Sequence, residues 1–147
     1  MNKSGLANQF DQTYLRELHR LVNRMEKSAN LVLAPQELSF SGYQVLASLS
    51  QHPDFLQAQI AEDMNVTPAV ITRQIAQLGE RGYVKQVQDP ENRRRNLLTL
   101  TPAGKQAVEQ ATVQINQVFQ PALKALQGGD LALFTRCIAK LNTTFED

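Results

Sequence analysis

Three consecutive arginines, Arg93, Arg94 and Arg95, stand in the stretch DPENRRRN. The runs on either side, YVKQVQ and RRNLLTLT, alternate between apolar and polar residues, which is typical of strands. The residues between these runs are turn formers, so we expect a hairpin with the arginines at its tip and along its returning strand. On their own, these three side chains are either a solvated turn or a contact surface for an anion.

A second group of polar side chains lies just before this hairpin, in TPAVITRQIAQLGERG. Ile71, Ile75 and Leu78 have the spacing of the inner stripe of a helix. The opposite face carries small or hydrogen-bonding side chains, namely Ala69, Thr72, Arg73 and Gln77. An ordinary solvated helix face would carry a mixture of Lys and Glu, so this face is a candidate for binding.

The limits of this helix follow from its flanking residues. Thr67 is a strong candidate for the N-cap, and Pro68 occupies the first helical position, where its missing N–H costs nothing. Gly82 supplies the C-terminal stop. The short apolar run before it predicts another helix, from about Leu56 to Met64, that buries Ile60.

The charge of the chain is concentrated in this region. The whole protein of 147 residues has a net charge of +1, which says nothing about partners. Residues 67–105, however, hold seven basic and three acidic residues, whereas the rest holds eight basic and eleven acidic ones. A basic patch on a nearly neutral protein points to one face that meets an anion.

The remaining elements are amphipathic helices. Residues 7–30 place Phe10, Tyr14, Leu18, Leu21 and Met25 on one stripe. A looser stretch with Pro35 follows, and Ser41 is the expected N-cap of a short helix that ends near His52-Pro53. A long helix with an alanine-rich stripe begins at Pro102 and runs to Gly128-Gly129. The last helix is expected to open with Asp130 as its N-cap and carries Leu131, Phe134, Ile138, Leu141 and Phe145 on one stripe.

The composition indicates a cytoplasmic protein. The only cysteine is Cys137, so no intramolecular disulfide is possible. No run approaches the roughly 18 apolar residues of a membrane span, and the N-terminal residues lack the apolar centre of a signal peptide. Length and pattern together predict one mainly α domain with a small two-stranded β-hairpin.

The order helix, helix, helix, hairpin is that of a winged helix-turn-helix. A helix with a polar outer face fits the major groove of DNA, where Thr72, Arg73 and Gln77 could bond base edges or phosphates. The hairpin arginines suit the negative potential of the narrow minor groove, or the phosphates beside it. The arrangement therefore predicts binding to double-stranded DNA.

The motifs closely resemble the MarR (multiple antibiotic resistance regulator) family of transcriptional regulators. The resemblance is carried by QAQIAEDMNVTPAVITRQIAQLGERGYVKQVQDPENRRRNLLTLTPAGKQ. Its specific features are a Thr-Arg pair in the recognition helix, an RGyV exit, a DPxDxR wing and an LTxxG return. They cover about residues 41–105, and the flanking helices match in position and length.

The resemblance implies one domain over residues 1–147. Residues 41–101 would form the DNA-binding part, and residues 7–30 and 102–145 the helices that interlock in a homodimer. It implies a palindromic operator with one recognition helix per subunit in successive major grooves, and no cofactor. The implied DNA contacts are Ser41, at a phosphate, then Thr67, Pro68, Ala69, Thr72, Arg73 and Gln77, with Arg94 as the wing arginine.

Two positions depart from the family pattern. The wing has Asn92 where the family has an Asp that braces the wing by pairing with an arginine, so Arg93 or Arg95 could share the role of Arg94. The third helix has Leu56 at its cap position, where Thr or Ser is usual, and Asp54 is a substitute cap.

Other residues favour structural roles. We expect Cys137 to be a small buried core residue. His19 and His52 are far apart in sequence and have no Cys or paired acidic residue at metal-ligand spacing. The sequence has neither a nucleophile elbow nor a phosphate loop, so an enzyme is not expected.

The predicted function is a sequence-specific regulator, a repressor more often than an activator. The family implies a small aromatic or anionic effector that binds where the first two helices and the start of the fifth meet, and that relieves DNA binding. One alternative is a winged-helix module that binds proteins and never reads DNA. Another is an oxidant-sensing regulator that acts through Cys137. Neither the operator, the target genes nor the effector follows from the sequence.

Overall fold

The computed structural model describes residues 12–146 and consists of six helices and one antiparallel hairpin within that range. The mainly α winged helix-turn-helix predicted above is confirmed. In chain order the elements are α1 (Gln12–Leu33), a 3-10 turn (Ala34–Gln36), α2 (Phe40–Gln51), α3 (Gln57–Asp63), α4 (Pro68–Glu80), β1 (Val84–Asp89), β2 (Asn92–Leu100), α5 (Pro102–Ala125) and α6 (Asp130–Thr144).

Helix α1 continues beyond the expected end at Asn30. The run Leu31-Val32-Leu33 contains no helix breaker, so the helix ends only before Pro35, which disfavours helical geometry in the residue that precedes it. Ala29 and Leu33 are fully buried at this end. The predicted helix residues before Gln12, including Phe10, lie outside the described part of the chain.

Helix α2 begins two residues earlier than predicted. Its N-cap is Ser39, whose hydroxyl oxygen accepts a hydrogen bond from the Gly42 N–H at 3.0 Å. The amide of Phe40 donates to the Asn30 side chain of α1 at 2.7 Å. Ser41 is therefore not the cap but a half-buried residue of the first turn.

The start of α3 is held by Gln59. Leu56 is the N-cap residue, and its N–H donates to Gln59 Oε1 at 2.8 Å. This bond, from the backbone of the N-cap residue to the side chain three residues later, is one of the two bonds of a capping box. The prediction that Asp54 substitutes as the cap is wrong.

The hairpin closes through a short turn at Pro90-Glu91. Val84 pairs with Leu100 and Gln86 with Leu98, and the register shifts at Gln88/Asp89. Because β2 begins at Asn92, all three arginines lie on the returning strand. Val84 and Leu98 are buried and fasten the hairpin to the core.

The first turn of helix α5 lies in direct contact with the base of the hairpin. Thr101 caps it, accepting from the Gly104 N–H at 3.0 Å, while the Thr101 N–H donates to the Tyr83 carbonyl at 3.1 Å. A Cβ atom added at Gly104 would lie 2.0 Å from that same carbonyl oxygen. Only glycine fits here.

The end of α5 and the start of α6 differ slightly from expectation. Helix α5 ends at Ala125, before Gly128, which has a positive φ of 67°. The N-cap of α6 is Gly129, and Asp130 is the first helical residue rather than the cap. An acidic residue in the first turn still interacts favourably with the helix dipole.

The core lies between the end of α1, the winged part and the first half of α5. The buried positions of α5 are Gly104, Ala107, Val108, Ala111 and Ile115. Beyond Ile115 the α5 stripe is half-buried or exposed, and Ala103 at its start is exposed as well.

Helix α6 has no buried residue within one chain. Its stripe of Leu131, Phe134, Ile138 and Phe145 is exposed, and so are Tyr14, Leu21 and Met25 of α1. Cys137 is also exposed and unpaired, so the expectation of a buried core cysteine is wrong for the single chain. The amphipathic pattern placed it near an apolar stripe, but no residue of α6 is buried within the described chain.

Candidate nucleic-acid interface

A tight turn joins α3 to α4 and sets the direction of α4. The Asn65 amide donates to the Glu62 carbonyl and the Val66 amide to the Ala61 carbonyl, both at 3.0 Å. Asn65 has a φ of 50°, a left-handed conformation that asparagine tolerates better than most residues. Thr67 is the N-cap residue by position, although its side chain makes no capping bond.

Helix α4 separates buried from exposed side chains as predicted. Ile71, Ile75 and Leu78 are almost fully buried. All six candidate contact residues on or before this helix are exposed: Thr67, Pro68, Ala69, Thr72, Arg73 and Gln77. Gly82, with a φ of 73°, ends the helix, and the Tyr83 amide donates back to the Leu78 carbonyl at 2.9 Å.

Thr72 is held in place by two hydrogen bonds. Its hydroxyl donates to the Pro68 carbonyl at 3.0 Å and accepts from Gln57 Nε2 at 2.6 Å. The second bond joins the start of α3 to the outer face of α4. Since a hydroxyl has two acceptor lone pairs, Thr72 can still accept one further bond.

The wing is braced by Asp89. This carboxylate is 4% exposed, and its Oδ1 accepts from the Glu91 N–H at 2.9 Å. Its Oδ2 accepts from Arg95 Nε and forms an ion pair with it. The Glu91 hydrogen bond, followed by that of Arg95, lowers the pKa of Asp89 below its ordinary value of 3.8.

Asn92 has a backbone role in the same turn. Its Oδ1 accepts from the Arg94 N–H at 3.1 Å, while Gln88 Nε2 donates to the Arg93 carbonyl at 2.9 Å. Within residues 12–146, no hydrogen bond or ion pair engages the guanidinium groups of Arg93 and Arg94. Both are exposed and remain available for an anion.

The structure brings most of the predicted residues into two neighbouring elements. Those of α4 share its outer face, and Arg93–Arg95 lie on β2 of the adjoining hairpin. Ser41 stands apart in the first turn of α2. Arg95 differs from its neighbours because it is bonded inside the wing.

Sequence reasoning overlooked three residues that organise this surface: Ser39, Gln57 and Asp89. For Ser39 the only signal was its residue type, which Ser41 shares, because serine is a preferred N-cap. For Asp89 it was the sequence Asp-Pro-Glu, since aspartate commonly accepts from the amide two residues onward. The contact of Gln57 with Thr72 joins two helices and has no local sequence signal.

Neither a metal-ion site nor a membrane-spanning helix is found among the described residues. No group of three His, Cys, Asp or Glu side chains in residues 12–146 is placed to hold a metal ion. His52 stacks on Phe55, with ring centroids 4.2 Å apart. In the same range, every helix is too short or too polar to cross a membrane.

Comparison with known proteins shows that the winged part is similar to one family. Residues 38–95 match the model of the MarR family. A candidate transcriptional regulatory protein for the hcr operon of Thauera aromatica is 33% identical over 92 residues, which cover 60% of this chain and 55% of that protein. The chain therefore aligns with little more than half of this relative's length.

Solved structures share the fold across nearly the whole chain. The MepR–DNA complex of Staphylococcus aureus superposes with a TM-score of 0.83 at 19% identity and covers 93% of this chain and 100% of that one. The PcaV regulator of Streptomyces coelicolor with its natural ligand gives 0.75 at 26% identity, over 99% and 100% of the two chains. In its winged helix-turn-helix part, residues 38–95, this chain is similar to the MarR family of transcriptional regulators.

Proposed function

We propose that this protein binds double-stranded DNA in a sequence-specific manner and represses transcription. The observation that carries the proposal is the outward face of α4, which has small and hydrogen-bonding side chains and no large apolar one, beside a wing with two unengaged arginines. A protein-binding helix would be expected to present an apolar outer face there. The relatives are regulators, and the MepR structure contains DNA.

The roles of the α4 residues follow from their chemistry. Arg73 is exposed, and its guanidinium can donate to both acceptors of a guanine edge in the major groove. Thr72, held by Gln57, offers an acceptor at a defined position, and Gln77 can bond a base edge or a phosphate. Thr67, Pro68 and Ala69 are small enough to let the start of α4 approach the DNA closely.

In the wing, Arg94 is the proposed minor-groove residue. Arg93 would contact a neighbouring phosphate, and Arg95 would hold the wing in shape through Asp89. This division of labour is our proposal for the choice that Asn92 left open in the sequence. Ser41, in the first turn of α2, would add a phosphate contact, because helix N-termini attract anions.

We assign the first and last helices to a homodimer interface. Tyr14, Leu21 and Met25 of α1 and the apolar stripe of α6 are exposed in the single chain. Exposed apolar area of this extent is typical of surfaces that a partner covers. A twofold dimer would present two α4 helices to the two halves of a palindrome. On this assignment residues 41–101 form the DNA-binding part, and the protein acts in the cytoplasm.

An effector site is proposed at a cavity between the end of α2, β2 and the start of α5. Its volume is about 250 Å³. Leu49, Leu98 and Val108 supply apolar lining, while Thr99, Lys105 and Glu109 add a hydroxyl, a cation and a carboxylate. The combination suits a small molecule with an apolar body and a polar group that can pair with Lys105. The PcaV structure contains a natural ligand.

A binding selection tests the function. The purified protein is incubated with a library of random duplexes at about 100 mM salt, and the retained DNA is sequenced after several rounds. We expect a palindromic consensus whose affinity falls as salt increases. Absence of any enriched sequence, with the protein folded, would contradict DNA readout and favour the protein-binding module.

A further inference from the structure

The link between α1 and α2 is bonded to two other parts of the molecule. Residues 34–37, which we name the α1–α2 turn, comprise the 3-10 turn and Glu37. Glu37 has a positive φ of 52°. A residue other than glycine stays in this conformation only where surrounding contacts hold it. The conformation of Glu37 therefore indicates that contacts hold the α1–α2 turn in place.

The first contact joins the turn to the end of α4. The Tyr83 hydroxyl donates to the Gln36 carbonyl at 3.0 Å. Tyr83 is also tied to α4, because its amide donates to the Leu78 carbonyl at 2.9 Å. One residue thus fixes the last turn of α4 to the α1–α2 turn.

An ion pair lies alongside this contact. Arg81 Nε is 3.6 Å from Glu37 Oε2, and Arg81 Nη1 donates to the Gln77 carbonyl at 3.3 Å. Since the Glu37 side chain is largely exposed, this pair contributes little stability. It nevertheless shows that two successive residues of the turn face the end of α4.

The second contact joins the turn to α5. Gln36 Nε2 donates to Gln114 Oε1 at 2.7 Å. The other atom of this amide, Gln36 Oε1, is buried and accepts no bond from any described residue. Burying an unmatched acceptor lowers stability. An apolar side chain at residue 36 would avoid that cost. The Gln36 amide is therefore better explained by its hydrogen bond to α5 than by a contribution to stability.

From these contacts we propose that Gln36 and Tyr83 are positioning residues that couple α5 to α4. The side chain of Gln36 is bonded to α5, and its carbonyl is bonded to Tyr83. Hydrogen bonds of this length tolerate a displacement of only about 0.5 Å before they weaken. The Tyr83 carbonyl already accepts a hydrogen bond from the Thr101 N–H at the start of α5, and Gln36 adds a second link at Gln114, further along that helix. A tilt of α5 must therefore carry the end of α4 with it or break this second link. The inference rests on the proposed function, in which α4 reads DNA.

Two tyrosine variants isolate this connection. Tyr83→Phe removes the hydroxyl and keeps the ring. Tyr43→Phe is the matched control, because its hydroxyl also bonds α5, at Thr112 Oγ1 and 3.2 Å, and makes no hydrogen bond to the α1–α2 turn or α4 within the described residues. A double variant, Gln36→Leu with Gln114→Leu, cuts the other half of the connection without leaving one amide unpaired.

Distance measurement within one chain provides the decisive readout. Spin labels are attached at Glu80→Cys in α4 and Gln117→Cys in α5, in a Cys137→Ser background, and labelled protein is diluted with unlabelled protein. We expect Tyr83→Phe and the double leucine variant to shift or broaden the α4–α5 distance distribution, and Tyr43→Phe to leave it unchanged. Identical distributions in all variants, or an equal change in Tyr43→Phe, would overturn the proposal.

Operator affinity supplies the functional arm. Tyr83→Phe is expected to weaken DNA binding by about 3- to 10-fold, the usual consequence of losing one hydrogen bond. Unchanged affinity in Tyr83→Phe, with the wild-type protein binding, would also overturn the proposal. If the wild-type protein binds no DNA, the proposed function fails, and the distance distributions alone decide the coupling.

Discussion

Arg95 donates to the carboxylate of Asp89 within the wing, and this bond distinguishes it from the two arginines before it. Three adjacent residues of one type therefore have different surroundings. Arg95 shapes the hairpin turn, while Arg93 and Arg94 keep exposed guanidinium groups. The brace that the family pattern led us to expect at residue 92 is supplied by Asp89, three residues earlier.

The Asp89 brace should depend on pH in a defined direction. Its pKa in the folded protein lies below the ordinary value of 3.8, so its stabilising contribution is fully present above that value. The contribution is lost as the pH falls through the lowered folded pKa. We expect the stability difference between wild type and Asp89→Asn, from urea unfolding, to be constant near neutral pH and to shrink below about pH 4. Asp54→Asn is a control at an exposed carboxylate, and a difference that increases in acid would contradict the brace.

Replacing Arg94 should weaken operator binding. Arg94→Ala removes the proposed minor-groove guanidinium, with an expected loss of about 1–3 kcal/mol. The measurement is a titration of labelled operator at several salt concentrations. Arg136→Ala serves as control, because Arg136 lies on the face of α6 opposite the apolar stripe. Wild-type affinity in Arg94→Ala would show that the wing assignment is wrong.

The Thr72 hydroxyl should matter for binding more than for stability. Thr72→Val removes the bonds to Pro68 and Gln57 and the remaining acceptor, which we expect to lower operator affinity by about 1 kcal/mol. Thr135→Val is matched, since Thr135 makes the same bond to the carbonyl four residues earlier, on α6. Both variants should unfold at similar urea concentrations. Equal operator affinities would exclude a role for Thr72 in readout.

The parts predictable from sequence share a physical basis. Both ends of helix α4 are predictable because the residues that determine them are local in sequence: Pro68 at the start and Gly82 just after the end. The start of α2 was misplaced because Ser39 and Ser41 are both plausible caps, and only a backbone bond to Gly42 distinguishes them. Cys137 was misjudged because periodicity identifies an apolar stripe but does not show whether the covering surface belongs to the same chain.

The pairwise details of the candidate site were beyond sequence reasoning for a related reason. The partners Gln57 and Thr72 are fifteen residues apart, and Gln36 and Gln114 are seventy-eight apart. Such contacts arise from packing of whole helices, which propensity and spacing do not describe. Asp89 and Arg95, six residues apart within one hairpin, are the intermediate case.

Two glycines should respond oppositely to alanine. Gly104→Ala would place a Cβ 2.0 Å from the Tyr83 carbonyl oxygen, whereas a Cβ at Gly79 in α4 meets no atom within 4 Å. We expect Gly104→Ala to cost about 1–3 kcal/mol of unfolding free energy. Gly79→Ala should stabilise by about 0.5–1 kcal/mol, because alanine is the better helix former. Thermal and urea unfolding of both variants would test this, and equal stabilities would contradict the close approach.

The apolar stripe of α6 should control assembly. Phe134 is exposed in the single chain, and its burial against a partner would contribute about 1.5–3 kcal/mol per side chain. Phe134→Ser is therefore expected to increase the dimer dissociation constant by at least about tenfold in sedimentation equilibrium. Lys140→Ser, off the stripe, should leave it unchanged. A monomeric wild-type protein would contradict the assignment of α6 to an interface.

The missing side chain at Gly104 has a mechanical consequence. With the Tyr83 carbonyl in direct backbone contact and no flexible group between them, the base of the hairpin and the first turn of α5 have no freedom to slide past each other. We expect these two segments to rotate together. A tilt of α5 would then displace Arg93 and Arg94, at the far end of the hairpin, more than the residues at its base.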